Sequence, residues 1–132
     1  MPLQDDYERI AERTLDAAQY LSAAGIQESV AFYAYHAFES IGAALMSAFG
    51  ENVPRSHQRK LNQFVAIARS RRYRPAVAQL AIQLQNLRNQ CLYPTVQPDG
   101  TVQRPEDILT LIQAQRLLQR VTGIVTRVRR DL

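Results

Sequence analysis

The sequence contains few or none of several residue types that mark particular protein classes. Its 132 residues include one cysteine, Cys91, five glycines, six prolines and no tryptophan. A single cysteine excludes an intramolecular disulfide and a multi-cysteine zinc site, and it suits a reducing compartment. No apolar run approaches the roughly 20 residues that span a bilayer, and acids stand where a secretory signal would carry bases. We therefore expect no membrane segment, a cytoplasmic location and one domain over residues 1–132.

The charge of the chain is unevenly distributed around a net value of +4. Residues 1–51 carry eight acidic and two basic side chains, a net charge of −6, whereas residues 52–132 carry 14 basic and four acidic ones, a net charge of +10. All basic residues except Lys60 are arginines, which suit forked partners such as phosphate and carboxylate. The basic half, including the cluster Arg69–Arg74, therefore faces nucleic acid, acidic residues of this chain or of a second copy, or simply solvent.

Apolar residues recur at helical spacings of three and four along nearly the whole chain. The first helix is predicted to begin at Asp5 or Asp6, either of which suits an N-cap, and to end at Gly25. Ser56 is the predicted cap of the third helix. The first helix is expected to bury one amphipathic face, formed by Leu3, Tyr7, Ile10, Thr14, Ala18 and Leu21.

The second helix is the strongest structural prediction of the sequence. It should run from about Ile26 to Phe49, with Gly50 as the residue just past its end. From Val30 onward it is apolar nearly all round, and small residues on it allow close approach of neighbouring helices. We therefore predict that this helix lies in the centre of the protein.

The second half of the chain contains two more predicted helices. A fourth helix begins at Pro75 and runs until Pro94 stops it. Pro98–Gly100 is a turn signal, and the last helix is predicted to open on Pro105–Asp107. No strand pattern competes. Because short connections between long helices favour antiparallel neighbours, we predict an all-α, up-and-down bundle of about five helices.

The sequence has few of the motifs that perform chemistry on their own. It has no phosphate-binding glycine loop, dinucleotide-binding fingerprint or H-E-x-x-H pair, and no turn typical of a Ser-His-Asp triad. His36 and His57 lie on different predicted helices without clustered carboxylates, so we expect no metal. Cys91 lies on an apolar stripe and is expected to pack rather than react. We also expect no cofactor.

One polar constellation lies on the predicted central helix. His36 and Glu39 are three residues apart and share a helix face, and Tyr35 precedes Glu39 by four residues. In so apolar a helix each polar group needs a hydrogen-bonding partner or access to a cleft. The set is either an internally satisfied pair that fixes the helix register or part of a binding site.

A second constellation stands at the end of the predicted fourth helix. Arg88 and Asn89 offer fixed donors and an amide at the edge of the apolar stripe, and Tyr93 comes where the helix must stop before Pro94. These groups suit a pocket for phosphate or ribose. They also suit a helix cap that pairs with Glu39. We predict that Arg88, Asn89 and Tyr93 lie close together and line a cleft.

Three segments together resemble the HEPN superfamily (higher eukaryotes and prokaryotes nucleotide-binding domain). They read FYAYHAFESIGAALMSAFG, PRSHQRKLNQFVAIAR and LRNQCLYP. The first contains the family's aromatic-x-x-H-A-x-E pattern at Tyr33, His36 and Glu39. The second has a proline and then a histidine, His57, and the third carries the family's Arg-polar signature at Arg88–Asn89.

The resemblance implies a helical bundle that often forms a two-fold dimer, with the arginine-bearing helix ends meeting in a cleft. Many members are endoribonucleases of toxin–antitoxin or phage-defence systems, with an active motif of arginine, a polar residue, a short spacer and histidine. Here Leu92–Pro94 stands where that histidine is expected, although other branches carry a tyrosine there, as this chain does at Tyr93. Imidazole suits acid–base chemistry near neutrality, whereas a phenol with a pKa of ~10 is a poor base.

Three functions follow from the sequence and the resemblance. The first is a non-catalytic binding module for RNA, a nucleotide or a partner protein, forming a homodimer and pairing with a nucleotidyltransferase-type protein. The second is a metal-independent endoribonuclease toxin that uses Arg88 with Tyr93, or with a repositioned His36, in place of the usual histidine. The third is a bundle with a structural or assembly role. The expected ligand-binding residues are Arg88, Asn89, Tyr93, His36 and Glu39.

Overall fold

Six α-helices and one small hairpin make up residues 2–132, the part of the chain that this computed structural model describes; Met1 of the expected domain lies outside it. The helices are α1 (Pro2–Ala24), α2 (Gln27–Ala48), α3 (His57–Ile67), α4 (Arg74–Leu84), α5 (Leu87–Leu92) and α6 (Leu111–Arg129). The strands β1 (Thr95–Val96) and β2 (Val102–Gln103) pair antiparallel. The prediction of an all-α helical bundle is confirmed.

Helix α2 lies at the centre of the bundle, as its composition predicts. Every residue from Ala37 to Ser47 is buried, and α2 packs against α1, α3, α5 and α6. It ends as expected at Gly50, whose φ of +72° is a left-handed conformation that favours glycine. Between residues 2 and 132 no helix is both long enough and apolar enough to cross a bilayer.

A glycine allows α2 and α3 to approach closely. A Cβ atom at Gly42 would lie 2.6 Å from a ring carbon of Phe64, which is shorter than any real contact of that kind. The Phe64 ring in turn packs against the Phe38 ring, with the two centroids 4.9 Å apart. This contact holds the second half of α3 against the middle of α2. At its other end α3 is capped as predicted by Ser56, which accepts a hydrogen bond from the backbone N–H of Arg59.

The start and the buried face of α1 differ from the prediction. The helix already begins at Pro2, so Asp5 and Asp6 lie within it and do not cap it, because proline is well suited to the first turn. Leu3 and Ile10, expected on the buried face, are 52% and 38% exposed. The residues that α1 buries completely are the small Ala11 and Ala18, which allow it to lie close to α2.

The predicted fourth helix is two helices, which is why the bundle has six rather than about five. Gln85 and Asn86 separate α4 from α5, and Asn86 has φ −104° and ψ −10°, outside the usual helical values. Asparagine favours such a turn because its side chain competes with backbone hydrogen bonds. The break turns α5 onto α2, whereas α4 packs against α3 and α6.

The prediction that no strand forms is wrong at the turn signal Pro98–Gly100. The flanking residues form the hairpin of β1 and β2. Gly100 has a φ of +86°, and the Asp99 carboxylate accepts hydrogen bonds from both the backbone N–H and the hydroxyl of Thr101. Local turn chemistry therefore closes two strands that are too short to leave a period-two pattern in the sequence.

The predicted start of the last helix is also wrong. Pro105–Asp107 forms a single 3-10 turn, and α6 begins only at Leu111. Thr110 is the true N-cap: its hydroxyl accepts from the N–H of Gln113, whose side chain accepts from the N–H of Thr110. This reciprocal capping box satisfies two backbone donors, which the proline and acids upstream do not do.

Candidate functional site

A buried carboxylate in the middle of α2 connects two helices. Glu39 is 8% exposed, and its Oε2 accepts a hydrogen bond of 2.5 Å from the Tyr35 hydroxyl. The same oxygen lies 2.8 Å from Nδ1 of His57, and Lys60 Nζ donates to Oε1 at 3.0 Å. His57 and Lys60 are three residues apart on one face of α3. We call these four residues the Glu39 network; it pairs a charge that would otherwise be costly to bury.

The partners of Glu39 set its protonation state. Burial alone would raise the pKa of this carboxyl, but hydrogen bonds from Tyr35, His57 and Lys60 outweigh burial and hold the pKa below its ordinary value. Burial and the hydrogen bond to Glu39 raise the pKa of the Tyr35 phenol above its ordinary value. At neutral pH the pair is therefore an ionised carboxylate and a neutral phenol that donates to it.

A small cavity of about 70 Å³ adjoins this network. Helix α5, which packs against α2, brings Arg88 to it. We call this space the Arg88 cavity; its lining residues are Phe32, Tyr35, His36, Glu39, His57 and Arg88. Three of the five residues that the sequence predicts for ligand binding are therefore together in one place.

His36 is a half-buried, neutral imidazole in this cavity. Its ring centroid lies 6.2 Å from that of Phe32, in an edge-on arrangement. Burial lowers its pKa below the ordinary 6.5; Glu39 opposes this, and the positive charges of Lys60 and Arg88 lower it further. Within residues 2–132 the ring makes no side-chain hydrogen bond, so the predicted polar partners are present for Glu39 but not for His36.

Asn89 and Tyr93 lie beside Arg88 in the chain but outside the cavity lining as the structure describes it. Arg88 Nη1 donates to the Asn89 side-chain oxygen at 3.2 Å. Tyr93 is extended, with φ −132° and ψ 144°, as the residue before a proline tends to be. Tyr93 is 61% exposed and does not line the cavity as the structure describes it. In the cavity as described, Arg88 is accompanied by residues of α2 and α3, and the cleft of Arg88, Asn89 and Tyr93 stays a prediction.

Sequence reasoning did not place His57 and Lys60 in the site. They lie 18 and 21 residues after Glu39, and only the packing of α3 on α2 brings them to it. One sequence feature could have pointed to this pair: the single lysine of the chain stands three residues after one of its two histidines, so that both lie on one helix face. Within residues 2–132 no group of three His, Cys, Asp or Glu side chains is placed to hold a metal ion.

The donors of Arg88 and His36 in the Arg88 cavity are of the kind that pairs with phosphate, and the Glu39 carboxylate lines the same space. A guanidinium pairs with phosphate oxygens through its forked donors, and a neutral imidazole both donates and accepts hydrogen bonds. Its volume of about 70 Å³ is far below the roughly 300–1,000 Å³ of sites that enclose a whole small molecule. A nucleoside attached to the phosphate would therefore remain outside.

Comparison with known protein families assigns the chain. A model of the HEPN domain matches residues 5–131, which include all the residues of the Arg88 cavity. No curated protein and no solved structure matches the chain significantly. The match covers nearly the whole sequence and agrees with the resemblance of the three segments around His36, His57 and Arg88. The chain therefore belongs to the HEPN domain family.

Proposed function

We propose that the chain is a single-domain, non-catalytic HEPN module that binds a phosphate group of RNA or of a nucleotide in the Arg88 cavity. The observation that supports this most directly is the presence of Arg88 and the neutral His36 in one small cavity. The guanidinium supplies charge and forked donors, and the imidazole supplies a further hydrogen bond to a phosphate oxygen.

The proposal that the site binds without cutting rests on the side chains available for acid–base chemistry. Metal-independent RNA cleavage needs one group to take the proton of the 2′-hydroxyl and another to protonate the leaving 5′-oxygen. The family position for the catalytic histidine holds Leu92–Pro94. His57 is held by the Glu39 carboxylate at 2.8 Å. Losing a positioned general acid–base typically costs on the order of 10²–10⁴-fold in rate.

One observation favours an endoribonuclease as the second candidate. His36 is neutral and lines the same cavity as Arg88, although the two are far apart in the sequence. A neutral imidazole there has the protonation state of a general base. Tyr93, the other candidate replacement, supports this function less because it is 61% exposed and is not among the described lining residues of the cavity. His36→Asn would abolish metal-independent cleavage if this candidate is correct.

We further propose that the protein is a homodimer. The segment between α5 and α6 exposes four apolar side chains, and exposed apolar patches mark interaction sites. Val96 and Val102 are cross-strand partners in the hairpin, and the exposed set is Leu92, Tyr93, Val96 and Val102. A second copy packed on this surface would bring two Arg88-bearing helices together. Sedimentation of the wild type at micromolar concentration should give a dimer, and Val96→Arg should give a monomer.

The biological setting follows from the family alone. Some HEPN proteins belong to toxin–antitoxin or defence systems, and some pair with nucleotidyltransferase-type proteins. We propose the same setting and the same kind of partner for this chain. Co-purification of this chain with the product of a neighbouring nucleotidyltransferase gene tests that partner.

The binding proposal is tested by fluorescence anisotropy with a labelled single-stranded RNA of about 12 nucleotides. Arg88→Ala should raise the Kd about 10-fold or more, because a charged hydrogen bond is lost. Arg88→Lys should restore binding only in part, because an ammonium lacks the planar fork. Arg116→Ala, which removes the same charge from an exposed position on α6, is the matched control. Equal Kd values for Arg88→Ala and this control would contradict the proposal.

A further inference from the structure

A second, larger cavity lies where the connection between α3 and α4 meets the end of α6. It has a volume of about 490 Å³, within the range of ligand sites. Four arginines line it from two segments that are distant in the sequence, which we call the basic cluster: Arg71, Arg72, Arg127 and Arg130. Nothing in the Arg88 cavity overlaps with this set.

The positive charge of the basic cluster is not balanced within the described chain. Asp131 is the one acidic residue of the cavity lining, and it accepts a hydrogen bond of 2.7 Å from Tyr73 and lies 3.8 Å from Arg71 Nε. Within residues 2–132 the other three arginines form no salt bridge and no side-chain hydrogen bond. Like charges that line one cavity repel one another unless an anion lies between them.

One arginine of the cluster is fixed in place without being satisfied. The Arg71 guanidinium lies over the Phe49 ring, 5.0 Å from its centroid, where a cation–π contact stabilises it. Its Nε is buried and has no hydrogen-bond partner. The Arg71 side chain is nevertheless 34% exposed, and a guanidinium already held by stacking can meet an anion at little further cost in side-chain entropy.

The helix macrodipole does not account for this arrangement. Cations at the end of α6 are favourable, but Arg71 and Arg72 belong to a different segment. Nor do the acids of α1 balance the cluster. They pair instead with Arg129, whose guanidinium lies 3.6 Å from Glu8 and 2.5 Å from Glu12. The acidic half of the chain thus neutralises one side of α6 and leaves the cluster open.

We propose that the basic cluster binds the phosphodiester backbone of a single-stranded nucleic acid, as a contact separate from the Arg88 cavity. Successive phosphates of one strand present negative charges at short, regular intervals, so several guanidiniums in one cavity can each contact a phosphate. Arginine forks match phosphate oxygens in pairs. The inference rests on the proposed function in that both require a nucleic acid ligand, but it uses none of the same residues.

The test compares two double variants that remove the same charge. Arg72→Ala/Arg130→Ala alters the cluster, and Arg104→Ala/Arg116→Ala alters two exposed arginines outside it that have no side-chain partner within residues 2–132. Anisotropy is measured with single-stranded RNA and DNA of the same sequence, about 12 nucleotides long, over a series of salt concentrations. A second cluster variant, with glutamine at both positions, keeps the side-chain stems, and melting curves verify the folding of every variant.

The cluster variants should raise the Kd about 10-fold or more for both nucleic acids. They should also reduce the slope of log Kd against log salt concentration by about 1.4, since each phosphate contact on a single strand contributes about 0.7. The control should change the Kd less than about twofold. Equal effects on RNA and DNA are expected because the contact is to phosphate.

Other outcomes separate this inference from the proposed function. If Arg88→Ala weakens binding but the cluster variants behave like the control, the inference is wrong and the proposed function stands. If only the cluster variants weaken binding, the inference stands and the Arg88 proposal fails. A wild type that binds neither nucleic acid contradicts both. If the cluster variants lose affinity for RNA only, the contact is to the sugar and the inference is wrong. If they change the oligomeric mass without changing the Kd, the cluster is a protein interface and the inference is also wrong.

Discussion

The positive charges of the Glu39 network have a buried carboxylate as partner, whereas most of those in the basic cluster have no acidic partner within residues 2–132. Around Glu39 a buried carboxylate meets His57 and Lys60 within 3.0 Å, and every partner comes from α2 or α3. In the basic cluster four arginines line a cavity with one aspartate, which lies near Arg71 alone and already accepts a hydrogen bond from Tyr73. The first arrangement holds helices together, whereas the second leaves donors available to a ligand.

The contrast separates residues that stabilise the fold from residues that bind. A paired charge in the interior becomes costly when one partner is removed, because the remaining groups stay buried and unsatisfied. An unbalanced charge at the surface contributes nothing to stability and can even oppose folding by repulsion. Substitutions in the Glu39 network should therefore lower the free energy of unfolding more than substitutions in the basic cluster. Substitutions in the basic cluster should instead weaken nucleic acid binding more.

The largest effect on stability is expected for Glu39→Gln. The amide cannot accept from Tyr35, His57 and Lys60 together, so buried polar groups lose their partner. We expect a loss of about 2–3 kcal/mol in the free energy of unfolding, below the 3–5 kcal/mol of fully buried pairs, since His57 and Lys60 are partly in water. Urea denaturation measures it.

Two controls set the scale of that measurement. Asp16→Asn removes an exposed carboxylate without a side-chain partner within residues 2–132 and should change stability by less than about 0.5 kcal/mol. Arg72→Ala/Arg130→Ala should likewise stay within about 0.5 kcal/mol or be slightly stabilising. A Glu39→Gln variant as stable as these two would remove the distinction between the regions.

Protonation of Glu39 at acid pH should lower the stability of the fold within a defined range of pH. Because the pKa of Glu39 in the fold lies below its ordinary value of 4.5, the ionised carboxylate stabilises the protein above that pH. This contribution is lost as the pH falls from 4.5 through the lower value of the folded state. Unfolding curves below pH 4.5 should show a steeper loss for the wild type than for Glu39→Gln, and parallel losses would contradict the pairing.

Protonation of His36 should lower the stability of the fold by a smaller amount, and at higher pH than protonation of Glu39 does. Its pKa in the fold lies below the ordinary 6.5, so unfolding is accompanied by proton uptake and stability declines as the pH drops below 6.5. His36→Gln should lack this decline while keeping the one that begins near 4.5. An unchanged pH profile in the variant would show that the imidazole is not held neutral by burial.

The smallest expected effect is a thermal shift by a polyanion. Inorganic tripolyphosphate should raise the melting temperature of the wild type by a few degrees, as a ligand of the native state does by mass action. Arg72→Ala/Arg130→Ala should lose most of this shift, and Arg104→Ala/Arg116→Ala should keep it. Equal shifts in both double variants would indicate a diffuse charge effect.

Local patterns in the sequence were sufficient to predict much of this fold. The apolar run from Val30 to Phe49 predicts the central helix, and the spacing of Tyr35 and Glu39 predicts their contact. The break between α4 and α5 was missed because the apolar stripe continues across it, from Leu84 to Leu87, and hides the turn. The hairpin was missed because each strand has only two residues.

The sites were harder to predict because tertiary packing assembles them. Arg88 was identified from its position at a helix end, but its neighbours in the cavity come from α2 and α3. No periodicity links Glu39 to Lys60, which meet only when α3 packs on α2. None links Arg72 to Arg130, which line one cavity because the connection between α3 and α4 lies beside the end of α6. Proximity in the chain predicts Tyr93 in the cleft, whereas the structure leaves this residue 61% exposed and outside the described cavity lining.

The most direct test of the account is the fate of RNA bound by the purified wild-type protein in the presence of EDTA. Labelled single-stranded RNA is incubated at a protein concentration that saturates the anisotropy signal, and its length is followed on a denaturing gel. We predict that the RNA stays intact while it is bound, and that Arg88→Ala binds it less tightly, again without cleaving it. Cleavage without metal that disappears in both Arg88→Ala and His36→Asn would contradict the binding-only function and establish the endoribonuclease.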